Sequence, residues 1–165
     1  MSYDATITRL GAMALFDLNG PQKALSDWAG EALPLFPTTP NTAASKDDAE
    51  LIYAGRNHWL LRAPLECEAE IETALRPENS PPEISVVRIS DTKTFFSVSG
   101  PDADQIMSIA SPLDVHPSVF PKNGATFSEV FGLKALILRQ SEGFRLAVEQ
   151  SFGDMIDDYF AHAMS

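Results

Sequence analysis

The chain has 165 residues, 44% hydrophobic and 21% charged, with 12 basic and 23 acidic side chains and a net charge of −11. That length makes one domain, or two small half-domains sharing a core, buries roughly two-thirds of the unfolded surface and excludes disorder as the default. The acidity excludes phosphate backbones and anionic lipid, which would repel the chain, so neither a nucleic acid nor a membrane partner is expected.

Met1-Ser2-Tyr3-Asp4 lacks the basic segment and apolar run of a signal peptide, and no run approaches the ~20 apolar residues of a membrane span. A soluble cytoplasmic protein is expected. Ala12 to Leu18 is an apolar run and reads as a strand. Pro21 suits the first turn of a helix, because its missing N–H is not needed there. That helix runs to about Glu31, with Ala24, Leu25, Trp28 and Ala29 on one face. Pro34, Pro37 and Pro40 forbid its continuation and mark an extended crossing. Thr38 to Asp48 is polar and reads as a loop. Glu50 to Ala54 and Trp59 to Ala63 read as strands joined by a turn at Gly55-Arg56-Asn57-His58. Pro64 opens a helix through about Leu75. Its single thiol, Cys67, lies among Glu66, Glu68 and Glu70, a setting that does not activate a cysteine. With no second cysteine there is no internal disulfide and no sign of an oxidising compartment.

Arg76 to Pro82 contains three prolines and reads as a hinge between halves. Beyond it come strands at Ile84 to Ile89 and Thr94 to Val98. Pro101 then opens a helix to about Ala110 that turns Ala103, Ile106, Met107 and Ala110 inward. A second Pro-interrupted crossing spans Leu113 to Pro121. Ala125 to Val130, Lys134 to Leu138 and Phe144 to Glu149 read as strands, and Ser151 as the cap of a last helix through about Ala163.

The two halves repeat. Leu18-Asn19-Gly20-Pro21 has its counterpart in Val98-Ser99-Gly100-Pro101, Leu33-Pro34-Leu35 in Leu113-Asp114-Val115, and Phe36-Pro37 in Phe120-Pro121. Two copies are too few for a solenoid and fit one 1–165 domain of two related halves, about 10–76 and 83–163. The expected fold is α+β: duplicated β-α-β-β-α-type halves with mainly antiparallel sheets. Such a scaffold often binds at its seam.

No catalytic set stands out. Ser90, Asp91, Asp114 and His116 contain triad residue types, but no G-x-S-x-G elbow is present. Asp114 and His116 lie two apart, whereas zinc needs three or four protein ligands and the other histidines, His58 and His162, sit in unrelated segments. Gly20 and Gly100 belong to neither phosphate-loop pattern. Trp28, Trp59, Phe95, Phe96, Phe120, Phe144, Phe152 and Phe160 fall mostly on core phases.

Several runs resemble one family. Asn57-His58-Trp59-Leu60-Leu61, Ser90-Asp91, Phe96-Ser97-Val98-Ser99-Gly100-Pro101, Leu113-Asp114-Val115-His116-Pro117 with Phe120, and Phe144-Arg145-Leu146-Ala147-Val148 before Ser151-Phe152 are similar to the gamma subunit of heterotetrameric sarcosine oxidase. The likeness covers roughly residues 50 to 163 well and 10 to 40 loosely. One departure is the turn Gly55-Arg56-Asn57-His58, where the family has a Gly-Pro-Asp-Glu-Trp type turn.

The resemblance implies a fold like the folate-binding domain of the aminomethyltransferase and tRNA-modification GTPase families. It also implies a complex that oxidatively demethylates sarcosine to glycine and passes the one-carbon unit to tetrahydrofolate. FAD, FMN and NAD would belong to the larger subunits and zinc to the smallest. This chain would carry no cofactor and no catalytic residue. It would assemble with the large, medium and small subunits and stabilise the large one, with His58, His116, Pro117 and Phe120 as candidate contacts. Two other readings stay open. One is a stand-alone folate-binding protein, for which Asp91 and Phe96 are the nearest pterin partners. The other is a homodimeric interaction module.

Overall fold

The computed structural model describes residues 2–165, so the reading of Met1 lies outside it. The structure divides into two compact units. The inserted unit is Ala12–Ser90, and the terminal unit joins the residues up to Gly11 to Asp91–Ser165.

Strand β1 (Thr6–Arg9) belongs to the terminal unit, and the chain then enters the inserted unit. Strand β2 (Met13–Asn19) leads through Gly20 into helix α1 (Gln22–Ala29). Pro21 stands just ahead of the helix with φ −58°, and its carbonyl accepts the Leu25 N–H at 3.0 Å, so the proline starts the first turn as its chemistry predicts. Gly30, at φ 58°, ends it. Strands β3 (Ala43–Lys46), β4 (Ala49–Gly55) and β5 (His58–Pro64) follow, then helix α2 (Glu68–Leu75) and strand β6 (Ser85–Arg88). The five strands form a sheet in the order β3-β4-β5-β2-β6 with antiparallel neighbours. Ala14, Phe16, Leu18, Leu51, Trp59 and Leu61 share a core with Leu25 and Leu75 from the helices.

The terminal unit continues with β7 (Lys93–Ser99), helix α3 (Ala103–Ala110), strands β8 (Ala125–Val130), β9 (Leu133–Gln140) and β10 (Gly143–Glu149), and helix α4 (Gly153–Met164). Its sheet order is β1-β7-β10-β9-β8, again antiparallel. The inward face of α3 is the one its periodicity predicts: Ala103, Ile106, Met107 and Ala110 are buried with Phe96, Phe144 and Phe160.

The α+β class with antiparallel sheets is therefore observed. Beyond β1, which the sequence reading lacks, three details differ from it. The polar stretch Thr38–Asp48 contains β3, whose Ala43 and Lys46 lie opposite Ile52 and Ala49. The last helix begins at Gly153 after a short 3-10 turn over Gln150–Phe152, and Ser151 does not cap it.

The third difference is the boundary. It falls after Ser90 and not at the Pro-rich segment 76–82, because β6 lies beside β2, with Phe16 opposite Arg88 and Asn19 opposite Ser85. Likewise β1 runs into β2 along the chain but pairs with β7, Thr6 opposite Ser99 and Arg9 opposite Phe96. β1 and β6 thus exchange places: each stands next along the chain to a strand of one sheet and pairs in the other.

This exchange explains the repeated glycines. A Cβ on Gly20, at φ +133°, would lie 2.7 Å from the Glu83 carbonyl oxygen at the approach to β6. A Cβ on Gly100, at φ +108°, would lie 2.7 Å from the Asp4 carbonyl oxygen at the approach to β1. Only a residue without a side chain admits the incoming strand at these points.

Candidate partner-contact surface

The second crossing, between α3 and β8, is a built loop. Ser111 Oγ accepts the Leu113 N–H at 3.2 Å, and Asp114 Oδ1 accepts the His116 N–H at 2.9 Å. The His116 carbonyl accepts the Val119 and Phe120 N–H groups, each at 2.9 Å, and closes a turn. His116 Nδ1 lies 2.7 Å from Ser118 Oγ and accepts the Ser118 N–H at 3.2 Å, so the neutral ring carries its proton on Nε2.

Arg139, at the end of β9, holds this loop from beneath. Its Nε and Nη2 donate to the Phe120 carbonyl at 3.2 and 3.1 Å, and Nη2 also donates to the Val115 carbonyl. Nη1 reaches Asp104 Oδ1 at 3.3 Å, and the guanidinium lies 4.5 Å from the Phe144 ring centroid. The fork of a guanidinium suits such a set of carbonyls, which an ammonium cannot reproduce.

A cleft of about 890 Å³ opens beside the loop within the terminal unit, lined among others by Pro101, Asp104, Pro117, Phe120, Lys122 and Arg139. Those Arg139 donors are spent on the protein itself, so here the arginine positions the loop. Among the described residues no group of three or more His, Cys, Asp and Glu is arranged to hold a metal ion.

The loop exposes His116, Pro117 and Val119, and similarity says what kind of protein carries it. The profile of the sarcosine oxidase, gamma subunit family, matches residues 22–164. The chain belongs to that family. The sarcosine oxidase subunit gamma of Corynebacterium sp. (strain P-1) is 26% identical over 164 residues, spanning 98% of this chain and 77% of that protein. In structure the chain is similar to one in the heterotetrameric sarcosine oxidase from Corynebacterium sp. U-96 in complex with pyrrole 2-carboxylate. The TM-score is 0.81 at 20% identity, covering 97% of this chain and 83% of that one. The glycine cleavage system aminomethyltransferase T from Bartonella henselae shares the fold, with a TM-score of 0.71 at 14% identity, covering 96% of this chain and 46% of that one.

Within this family member the four candidate contacts separate. His116 and Pro117 are exposed on the turn. Phe120 is buried, its carbonyl held by Arg139 and its ring over Gly124, where a Cβ would lie 2.7 Å away. It shapes the turn from below and borders the cleft. His58 lies in the inserted unit, where its Nε2 pairs with Asp17 Oδ1 across the β2–β5 ladder.

Sequence reasoning missed Val119, which is 61% exposed beside His116 and Pro117, and it missed Arg139. An apolar residue between Ser118 and Phe120 reads as packing, and an arginine ending an apolar strand reads as a solvated charge. The first crossing is stiffened differently. The Trp59 ring meets Phe36 edge-on at 5.0 Å, and its Nε1 donates to the Pro37 carbonyl at 3.3 Å. The pterin candidates do not converge on a free surface. The Phe96 ring is fully buried and lies 6.0 Å from Phe160, while Asp91 is exposed. They do not fit folate.

Proposed function

We propose that this chain is the accessory gamma subunit of a heterotetrameric sarcosine oxidase working in the cytoplasm. Its role is to assemble and stabilise the large subunit by packing against that subunit's folate-binding region. The complex oxidatively demethylates sarcosine to glycine and delivers the one-carbon unit to tetrahydrofolate. Chemistry and cofactors reside in the large, medium and small subunits, with FAD, FMN and NAD in the larger ones and zinc in the smallest. The observation that carries this reading is the family match across residues 22–164. The built, exposed turn supports it, because a contact already held in its bound shape loses little conformational freedom on association. On that turn His116 and Pro117 are the polar and rigid contacts, and Val119 the apolar anchor.

The experiment is assembly of the co-expressed complex with and without this chain. Omitting the chain is expected to leave the large subunit poorly assembled, and Val119→Asp in the full chain to weaken its association about tenfold or more. The stability of the isolated variant should stay within about 0.5 kcal/mol of the parent, as for an exposed site. Assembly and turnover at full yield without the chain would refute the accessory role.

A further inference from the structure

The edge strand β1 is held like a bound peptide. Along residues 2–9 exposure alternates. Tyr3, Ala5 and Ile7 pack against the terminal core and Arg9 is half-buried, while Ser2, Asp4, Thr6 and Thr8 are exposed. Each end is fastened. Asp4 accepts the Asp102 N–H at 3.1 Å through its carbonyl and donates its own N–H to Asp102 Oδ2 at 2.7 Å. At the other end Leu10 N–H donates to the Phe95 carbonyl at 2.8 Å. Arg9 Nη1 pairs with Asp154 Oδ1 at 2.6 Å, and its Nε donates to Thr94 Oγ1 at 3.2 Å.

The receiving surface is cut to this segment. Gly100 leaves room for the backbone at Asp4, and a Cβ on Gly153 would lie 2.1 Å from Arg9 Nη2. The inserted unit repeats the device. There Ile84, just ahead of β6, and Val86 within it are buried and Arg88 Nη1 reaches Glu72 Oε2 at 2.9 Å, with Gly20 leaving the room. The two strands differ in depth. Ile84 and Val86 are each 6% exposed, whereas Ala5 and Ile7 are only partly buried. The joint behind β1, Gly11-Ala12, is exposed, with nothing within 4 Å of a Cβ on Gly11.

The structure assigns to the terminal unit a strand-acceptor site along β7. It takes an extended peptide with apolar side chains at alternate positions and an arginine at the far end, and residues 4–10 fill it in cis. Recognition is strand addition: the ladder supplies affinity, and the alternate side chains with the terminal ion pair supply selectivity. It follows that β1 opens as one piece before the rest of its sheet, and that the same segment supplied as a free peptide takes its place.

The test uses the full chain with a protease site inserted between Gly11 and Ala12, cleaved while folded, and a fluorescent peptide of residues 2–11. The expected result is saturable uptake of one labelled peptide per chain with release of the native segment. An Arg9→Ala peptide should bind about threefold weaker or more, since it loses an exposed ion pair, the Thr94 hydrogen bond and the contact over Phe96 together. On the uncleaved chain, hydrogen exchange should show the β1–β7 amides opening together, ahead of those between β9 and β10. The proposal is overturned if the label is not taken up, if the Arg9→Ala peptide binds equally well, or if β1 opens only with global unfolding.

Discussion

Gly143→Ala is expected to cost about 4 kcal/mol, a large share of the ~5–15 kcal/mol that holds an ordinary domain folded. Gly143 opens β10, the central strand of its sheet, opposite both Ser99 of β7 and Gln140 of β9. Its φ of +138° is one that side chains rarely adopt, and an added Cβ would lie 2.0 Å from the Val98 carbonyl oxygen. That neighbour is backbone inside a paired ladder, so it has nowhere to move. Gly132→Ala supplies the control. Gly132 also has a positive φ, +79°, but nothing lies within 4 Å of its Cβ, so only the conformational cost of about 1 kcal/mol is expected. Urea unfolding of the two variants beside the parent checks the pair. Equal losses would show that β10 does not sit as described.

Arg139→Ala is expected to cost about 3 kcal/mol, because it strips the buried carbonyls of Val115 and Phe120 of their donor and breaks the ion pair with Asp104. Arg139→Lys should be nearly as damaging. One ammonium on a flexible stem cannot span carbonyls that the planar fork bridges while lying over Phe144. The loss should be local as well as energetic. Hydrogen-exchange protection should fall across residues 112–123 in both variants and hold across Ala12–Ser90. Protection lost evenly along the chain would mean that Arg139 supports the core rather than the loop. A variant with a loosened loop should also dock more weakly than its residual stability would suggest, since the turn would have to order on association.

Much of this architecture is legible in the residues. Apolar runs such as Ala12–Leu18 and Phe144–Val148 mark interior strands, because a short, nearly continuous apolar run suits a strand covered on most of both faces. The Gly-Pro pairs mark true strand-to-helix turns. What the residues conceal is pairing at the edges. Ala43–Lys46 has little strand propensity and is placed by its ladder with β4. Thr6–Arg9 is too short to register beside the longer runs. The exchange hides the rest. Ser85–Arg88 stands next to β7 along the chain but pairs with β2, so a boundary drawn at prolines falls before it. On the candidate surface, His116 and Pro117 read as part of an extended crossing, and the turn that exposes them is not legible in the sequence. Phe120 is legible as a core aromatic, but its place beneath the turn is not, because that depends on Gly124 and on an arginine from a strand remote in the sequence.

The account stands most directly on what this chain assembles with. The decisive measurement is a pull-down of the tagged full chain from its native cells, with an absorbance scan and a sarcosine turnover assay on the eluate. The account predicts co-eluting larger subunits, flavin absorbance and sarcosine oxidation by the eluted complex, with none of the three from the chain made alone. A colourless chain eluting without partners would contradict it.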